Sequence, residues 1–357
     1  MEHYYILPAE SGDLNSTIRK WLTALLEEHC LEALLVLLDD PEKGTGMALV
    51  NRPELLKYAN PFAPVMLRNA AQMVSRITKI SPPTQKTGVI LRPCEERALI
   101  ELVKLKQASL ENIVIIGIDC PGTVPVALYP DVRDRIPRED ELRLACRVCE
   151  YTSPVNADLT ISLSRDSIIF QVFTDKGKEL IDKRVNLQAG EDVVNLRKKN
   201  LENLKARHKE AKDELFRRLN HEIYGPDNLL KTLARCTACH NCRVMCPICY
   251  CRECFFDSST FDREADKYLE WAGKKGGIKT PSDVLLYHLT RLNHMVASCV
   301  GCGMCSEACP NNVPVFEIFK LTASKVQEEL KYVPGLDINE ELPLSVFKED
   351  EFQEIGK

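Results

Sequence analysis

One cysteine pattern occurs twice and constrains this 357-residue chain more than any other feature. The pattern is Cys-x2-Cys-x2-Cys-x3-Cys-Pro. Its thiols are Cys236, Cys239, Cys242 and Cys246 in the first copy and Cys299, Cys302, Cys305 and Cys309 in the second. In two-cluster ferredoxins three thiolates of one copy bind one 4Fe-4S cluster, and the fourth binds the other cluster. The spacing therefore assigns Cys309 to the cluster of the first triplet and Cys246 to the cluster of the second.

Structural zinc is the main alternative for these thiols, because zinc also accepts Cys-x2-Cys pairs and four thiolates. Zinc sites pair two doublets, whereas two triplets that are each followed by Cys-Pro have no tetrahedral rationale. A disulfide framework is also disfavoured, since the chain is long and shows no secretory signal. The sixteen cysteines then indicate a reducing compartment, and we expect a cytoplasmic location.

Composition narrows the possible partners. The net charge is −5, and no basic block or aromatic-basic interleaving is present, so we expect no nucleic acid partner. The longest apolar run, Leu31 to Leu38, is far shorter than the roughly 18 residues that a membrane span needs. We therefore expect no membrane span.

A strand–helix–strand unit precedes the ferredoxin pattern. It is predicted from a strand at Thr87–Leu91, a helix at Glu95–Lys106 and a strand at Asn112–Ile118, and the two strands should be parallel. Cys94 follows the first strand and Cys120 follows the second. Both thiols should therefore emerge at the carboxyl edge of one sheet, where open α/β sheets place ligands.

Cys146 and Cys149 form a further Cys-x2-Cys pair, so that four cysteines outside the ferredoxin pattern match what one more cubane needs. The alternative makes Cys94 and Cys120 packing residues and the pair a redox couple or half a zinc site. The position of Cys94 at a helix N-terminus favours a cluster, because the helix dipole stabilises negative charge there. Three 4Fe-4S clusters are therefore predicted. The thiols left without an assigned role are Cys30, Cys249, Cys251 and Cys254.

The segments Leu91–Glu95, Ile116–Cys120 and Cys146–Leu159 resemble the coenzyme F-420 hydrogenase/dehydrogenase beta-subunit family. That resemblance implies a flavin-type α/β domain that carries FAD beside iron-sulfur clusters. It also implies electron transfer between a hydride-carrying coenzyme and a larger complex, with the flavin converting hydride to single electrons. Residues 228–324 resemble the α-helical ferredoxin domains of succinate dehydrogenase and heterodisulfide reductase iron-sulfur subunits.

The predicted architecture has four parts. An α/β flavin and iron-sulfur domain with a mostly parallel sheet covers residues 1–185, and a charged, solvated helical linker covers 186–227. An α-helical domain with two 4Fe-4S clusters covers 228–325. An acidic extended tail at 326–357 should pack on its own domain or dock on a partner.

FAD is expected at the carboxyl edge of the first sheet. An anionic dinucleotide needs donors and positive charge, and Arg92 with the backbone N–H groups opening the helix at Cys94 lies nearest in sequence. Arg68 and Asn69 are further candidates. The alternative is that Arg92 is an ordinary surface arginine, because the chain has no glycine-rich phosphate loop.

The expected function is electron transfer between a hydride carrier or ferredoxin and a larger oxidoreductase complex. The catalytic partner would be of the formate dehydrogenase, hydrogenase or heterodisulfide reductase type. No acid, base or nucleophile is needed in this chain, and none is assigned. The competing interpretation is a flavin-free iron-sulfur relay or adaptor that docks two redox enzymes.

Overall fold

The chain divides into two compact units in the computed structural model, which describes residues 3–9, 12–181, 185, 187–261, 264–276 and 283–346. The first unit comprises residues 1–212 with 335–340, and the second comprises residues 213–334 with 341–357. The boundary lies within a long helix rather than at the predicted linker start. Among the described helices, none combines the length and the apolarity that crossing a bilayer requires.

The first unit is built on one mixed sheet. Its strands are β1 (His3–Pro8), β2 (Ala33–Asp40), β3 (Gly44–Val50), β4 (Thr87–Leu91), β5 (Ile113–Ile118), β6 (Leu159–Leu163), β7 (Ser167–Val172) and β8 (Leu187–Gln188). Its helices are α1 (Leu14–Glu27), α2 (Ala71–Thr78), α3 (Pro93–Lys104), α4 (Tyr129–Val132), α5 (Leu144–Arg147), α6 (Asp175–Lys178) and most of α7 (Glu191–Glu222). Short 3-10 turns lie at Pro53–Tyr58, Val126–Leu128 and Glu139–Glu141.

The strand order is β3-β2-β4-β5-β6-β7-β1-β8. The predicted parallel pairing is confirmed for the four central strands β2, β4, β5 and β6. The flanking strands are antiparallel, so the sheet as a whole is mixed rather than mostly parallel. The reason is connection length: β3 follows β2, and β7 follows β6, through turns too short for a parallel crossover.

Burial follows this topology. Every residue of β4 and β5 is buried, as expected for parallel strands covered on both faces. Helix α1 packs Trp21 against Phe170 of β7 with ring centroids 5.0 Å apart. Ile18, Trp21, Leu22 and Leu25 of this helix are all buried and form part of the core.

The helix predicted from Val65 to Ile80 is shorter in the structure. Helix α2 begins only at Ala71, because Val65 forms an isolated parallel bridge with Val124 and its N–H donates to the Ala63 carbonyl at 2.7 Å. The segment before α2 is thus an irregular strip that lies along the sheet edge.

Helix α7 covers most of the segment predicted as a charged linker, but it is not solvated throughout. Arg197 and His208 are only 8% and 2% exposed. The Arg197 guanidinium donates to both carboxylate oxygens of Asp119, at 2.7 and 2.9 Å, and to Gln171 at 2.8 Å. A hydropathy scale ranks both side chains as polar, so it does not predict that they are buried against hydrogen-bond acceptors.

Every regular element described in the second unit is helical, as predicted. After the end of α7 come α8 (Pro226–Leu233), α9 (Asn241–Val244), α10 (Ala265–Lys275), α11 (Val284–Met295), α12 (Met304–Glu307) and α13 (Val315–Glu329). Short 3-10 turns lie at Phe255–Asp257, Ser259–Phe261, Val296–Ser298 and Pro343–Ser345. The Thr280 cap predicted to open the helix before Val284 lies outside the described residues.

The segment after α13 returns to the first unit. The Gly335 N–H donates to Glu101 Oε1 at 2.8 Å, and the Asn156 amide donates to the carbonyls of Gly335 and Leu336 at 3.2 and 3.1 Å. Residues 335–340 of the predicted tail therefore pack against this chain, while residues 347–357 lie outside the described part.

Candidate metal centres

Two thiol-lined cavities lie in the helical unit, and each contains cysteines from both copies of the pattern. The first is lined by Cys236, Cys239, Cys242 and Cys309. The second is lined by Cys246, Cys299, Cys302 and Cys305. The structure thus brings together the two crossed sets that the spacing predicted.

Both loops turn around their cavity through the same backbone conformation. Ala238 and His240 in the first copy have φ of 56° and 59°, and Gly301 and Gly303 at the equivalent positions have φ of 72° and 73°. A short helix follows each turn, α9 in the first copy and α12 in the second. A left-handed backbone is costly for residues with a Cβ, so the first loop carries strain that glycine avoids in the second.

Hydrogen-bond donors point at the sulfurs of the first cavity. The N–H groups of Ala238 and Val313 donate to Cys236 Sγ at 3.4 Å and Cys309 Sγ at 3.3 Å. Helix α11 adds side chains, with His288 Nε2 lying 3.4 Å from Cys236 Sγ. Such donors stabilise thiolates and set the potential of a bound cluster.

Polar side chains of α11 and the first loop complete this environment. Tyr287 Oη lies 3.4 Å from Cys242 Sγ, and its ring stacks on His240 with centroids 4.3 Å apart. His240 Nδ1 in turn pairs with Asp257 at 2.7 Å. Burial and the Arg291 charge lower the pKa of His288 to about 4. Sequence reasoning treated both histidines as ordinary surface or core residues, and the structure places them at the cavity wall.

The second cavity is more apolar, with Met295, Phe316 and Phe319 among its lining residues. Burial raises the pKa of the Cys305 thiol well above its ordinary value. A thiol in such a place loses its proton when a metal coordinates it. Four thiols line each cavity, and four thiolates are the donor set of a 4Fe-4S cluster, so both sets fit such a cluster.

The third predicted set lies at the sheet edge of the first unit. Leu91 pairs with Gly117, so Cys94 at the start of α3 and Cys120 after β5 emerge at the same carboxyl edge, as predicted. Burial raises the pKa of Cys120 to about 12, and the neighbouring Cys146 and Cys149 thiols add to the increase. Three of the four thiols therefore share one electrostatic environment, and Cys94 shares their edge.

Arg143 and Thr123 surround Cys146 and were not identified from the sequence. Thr123 Oγ1 lies 3.3 Å from Cys146 Sγ, Arg143 Nη2 lies 3.6 Å from it, and Arg143 Nε donates to Thr123 Oγ1 at 2.9 Å. Burial alone would raise the pKa of Cys146, but Arg143 and Thr123 outweigh it and lower that pKa. The spacing of Arg143 three residues before Cys146 was the available signal.

The predicted flavin contacts have other partners. Arg92 is buried rather than a surface arginine, donates to the Ala63 carbonyl at 2.6 Å and lies 3.7 Å from the Glu95 carboxylate. Asn69 is fully buried and donates to the Cys94 carbonyl at 3.4 Å. Both side chains are thus engaged within the protein, Arg92 with the Ala63 carbonyl and Asn69 with the Cys94 carbonyl, and their role toward a flavin stays a prediction. Arg68 is half-buried.

The remaining thiols do not form a further defined centre. Cys249 follows the first copy and burial raises its pKa to about 12, while Cys251 is exposed and Cys254 is half-buried. Across the part of the chain that the structure describes, no three His, Cys, Asp or Glu side chains converge tightly enough for a single metal ion.

Comparison with known proteins assigns the class. Residues 232–313 match the 4Fe-4S dicluster domain family, so the helical unit contains a 4Fe-4S dicluster domain. The chain is thus an iron-sulfur protein with an electron-transfer domain.

Relatives along the whole chain are more specific. The chain is 26% identical to the F420-dependent formate dehydrogenase subunit beta of Methanocaldococcus jannaschii over 92% of this chain and 93% of that protein. It is 25% identical to the F420-dependent formate dehydrogenase 1 subunit beta of Methanococcus maripaludis over 94% and 96%. A chain of the F420-reducing NiFe hydrogenase complex from Methanosarcina barkeri aligns with a TM-score of 0.43 and 14% identity, over 63% of this chain and 94% of that one. The predicted resemblance to the coenzyme F-420 hydrogenase/dehydrogenase beta-subunit family, joined to a two-cluster ferredoxin domain, is confirmed.

Proposed function

We propose that this chain is the electron-transfer subunit of an F420-linked oxidoreductase complex, with a formate dehydrogenase-type catalytic partner. The full-length similarity to two F420-dependent formate dehydrogenase beta subunits supports the choice of complex. A hydrogenase-type or heterodisulfide reductase-type partner is the alternative within the same class.

The observation that carries the proposal is the crossed arrangement of the fourth cysteines. Cys309 lines the cavity of the first triplet and Cys246 lines that of the second. Two adjacent 4Fe-4S clusters require this arrangement. Both clusters would then lie in one helical unit, and single electrons would pass from one cluster to the other.

A third 4Fe-4S cluster held by Cys94, Cys120, Cys146 and Cys149 belongs to the same proposal. The shared sheet edge and the cationic environment of Cys146 support it. Arg143 would stabilise the anionic thiolate, Thr123 would orient it, and Asn69 and Arg92 would hold the loop that carries Cys94.

FAD remains a proposal that rests on the family resemblance of the segments around Cys94, Cys120 and Cys146 rather than on the predicted contacts. Of the three side chains chosen from sequence, Arg92 and Asn69 are engaged within the protein, which leaves Arg68 and the backbone at this edge. When bound, the flavin would supply the exchange between hydride and single electrons. The flavin-free relay is the second candidate function, and the internal engagement of Arg92 is the observation that favours it.

Anaerobic purification of the full chain from its native host tests the proposal. We expect a catalytic oxidoreductase subunit to co-purify, and the iron-sulfur absorption to bleach when that partner's substrate is added. A flavin absorption band in the same sample supports the flavoprotein, and its absence supports the relay. Isolation of the chain alone, with clusters that no partner substrate reduces, would contradict the assignment.

A further inference from the structure

Arg291 of α11 is a buried cation without a carboxylate partner among the described residues. Its side chain is 3% exposed. Nη1 donates to Cys242 Sγ at 3.1 Å, Nη2 donates to the Cys242 carbonyl at 3.2 Å, and Nε has no hydrogen-bond partner. An unpaired buried charge costs several kcal/mol, so the interior must supply a compensating negative charge.

The surroundings of Arg291 identify the source of that charge. The guanidinium carbon lies 5.6 Å from the Tyr287 ring centroid and 4.9 Å from that of Phe319, contacts that stabilise a cation only partly. Arg291 also lines the second thiol cavity while it bonds to a thiol of the first. The same side chain therefore borders both cluster sites.

Neutral thiols would leave this cation uncompensated, whereas thiolates that bind iron-sulfur clusters are anionic. A cation held between two negatively charged centres in a low-dielectric interior stabilises the reduced, more negative state of each.

We propose that Arg291 is the shared counter-ion of the two clusters in the helical unit, and that it raises the reduction potential of both. This inference rests on the proposed function, since it requires clusters in both cavities. Its role is electrostatic: Arg291 binds no substrate and transfers no proton. It also reduces the repulsion between the two clusters when both carry an added electron.

Potentiometric titration of the anaerobically purified full chain, followed by electron paramagnetic resonance, tests the inference. The variants are Arg291→Met, which removes the charge, and Arg291→Lys, which keeps the charge without the paired donors. Arg217→Met is the control, because Arg217 belongs to the same unit but is 73% exposed and paired with Glu214. Iron content is measured first on every sample.

Arg291→Met should lower both midpoint potentials. At a fixed potential the ratio of reduced to oxidised cluster should fall at least about tenfold at each site, which is about 59 mV for a one-electron couple. Arg291→Lys should shift both less, and Arg217→Met should shift neither.

A shift confined to one cluster, or none while both clusters are retained, overturns the inference. If Arg291→Met does not retain its clusters, Arg291→Lys decides: a downward shift of less than tenfold at both clusters supports the role of the charge, and unchanged potentials or a shift as large as tenfold contradict it. Wild-type protein without iron-sulfur clusters would refute the proposed function itself, which is a distinguishable result.

Discussion

Replacing Arg197 by methionine should strongly destabilise the first unit. Its guanidinium is 7% exposed and pairs with the 13% exposed Asp119 carboxylate, so the variant leaves a nearly buried charge without its partner. Breaking such a pair costs about 3–5 kcal/mol. For a unit of this size about 1 kcal/mol corresponds to about 2–4 °C, so Tm should fall by about 6–20 °C.

The change in Tm is measured by scanning calorimetry of iron-loaded protein, after the iron content of each sample has been determined. The control is Arg217→Met, which breaks an exposed ion pair worth at most about 1 kcal/mol. Adding Asp119→Asn to Arg197→Met should recover part of the loss, because no unpaired carboxylate then remains. If Arg197→Met lowers Tm no more than the control does, the docking of α7 through Arg197 is not a source of stability.

Three further changes test other parts of the account. Cys309→Ser should perturb the spectrum of the Cys236 cluster more than that of the Cys299 cluster, and the reverse pattern would mean that each copy closes on itself. Burial raises the pKa of Glu96 from 4.5 to about 7, so wild-type unfolding free energy should fall by about 3 kcal/mol from pH 4.5 to 7. Denaturant titrations should show no such slope in Glu96→Gln, and an unchanged slope would show that another group causes it. Gly335→Ala should lower Tm, because the φ of Gly335 is +68° and a Cβ there would lie 2.1 Å from the Arg97 carbonyl oxygen. Gly190→Ala is the control and should leave Tm unchanged, because there is open space around Gly190. Equal Tm values for the two variants would contradict the packing of the segment that carries Gly335.

Sequence spacing was sufficient for the crossed cysteine sets because the pattern itself encodes the geometry. The parallel pairing of β4 with β5 was predicted from the strand–helix–strand order, in which the crossover connection has one strongly preferred handedness. The antiparallel direction of the flanking strands was not predicted. The short connections between β2 and β3 and between β6 and β7 determine the direction of these strands, and hydropathy does not.

Side chains of α11 show where the sequence was insufficient. Val284, Leu285, Leu289 and Leu292 recur at helical spacing in the sequence, yet Leu289 is 45% exposed. The buried stripe is Val284, Tyr287, His288, Arg291 and Met295. Polar residues are buried here because sulfur atoms stand opposite them, and a hydropathy pattern cannot represent partners that come from distant loops.

The surroundings of the predicted flavin contacts were out of reach for a related reason. Arg92 was chosen because it is a cation near a helix N-terminus, and the Ala63 carbonyl that accepts from it lies 29 residues away in the chain. Backbone carbonyls of an irregular strip are acceptors whose position only the folded chain provides.

Metal and acid-labile sulfide analysis of the anaerobically purified chain measures how many clusters it binds. We expect about twelve irons with matching sulfide per chain, from four cysteines for each of three cubanes. About eight irons would remove the third cluster at the edge that carries Cys94 and Cys120. Stoichiometric zinc with no acid-labile sulfide would contradict the assignment of both thiol cavities and, with it, the proposed electron transfer.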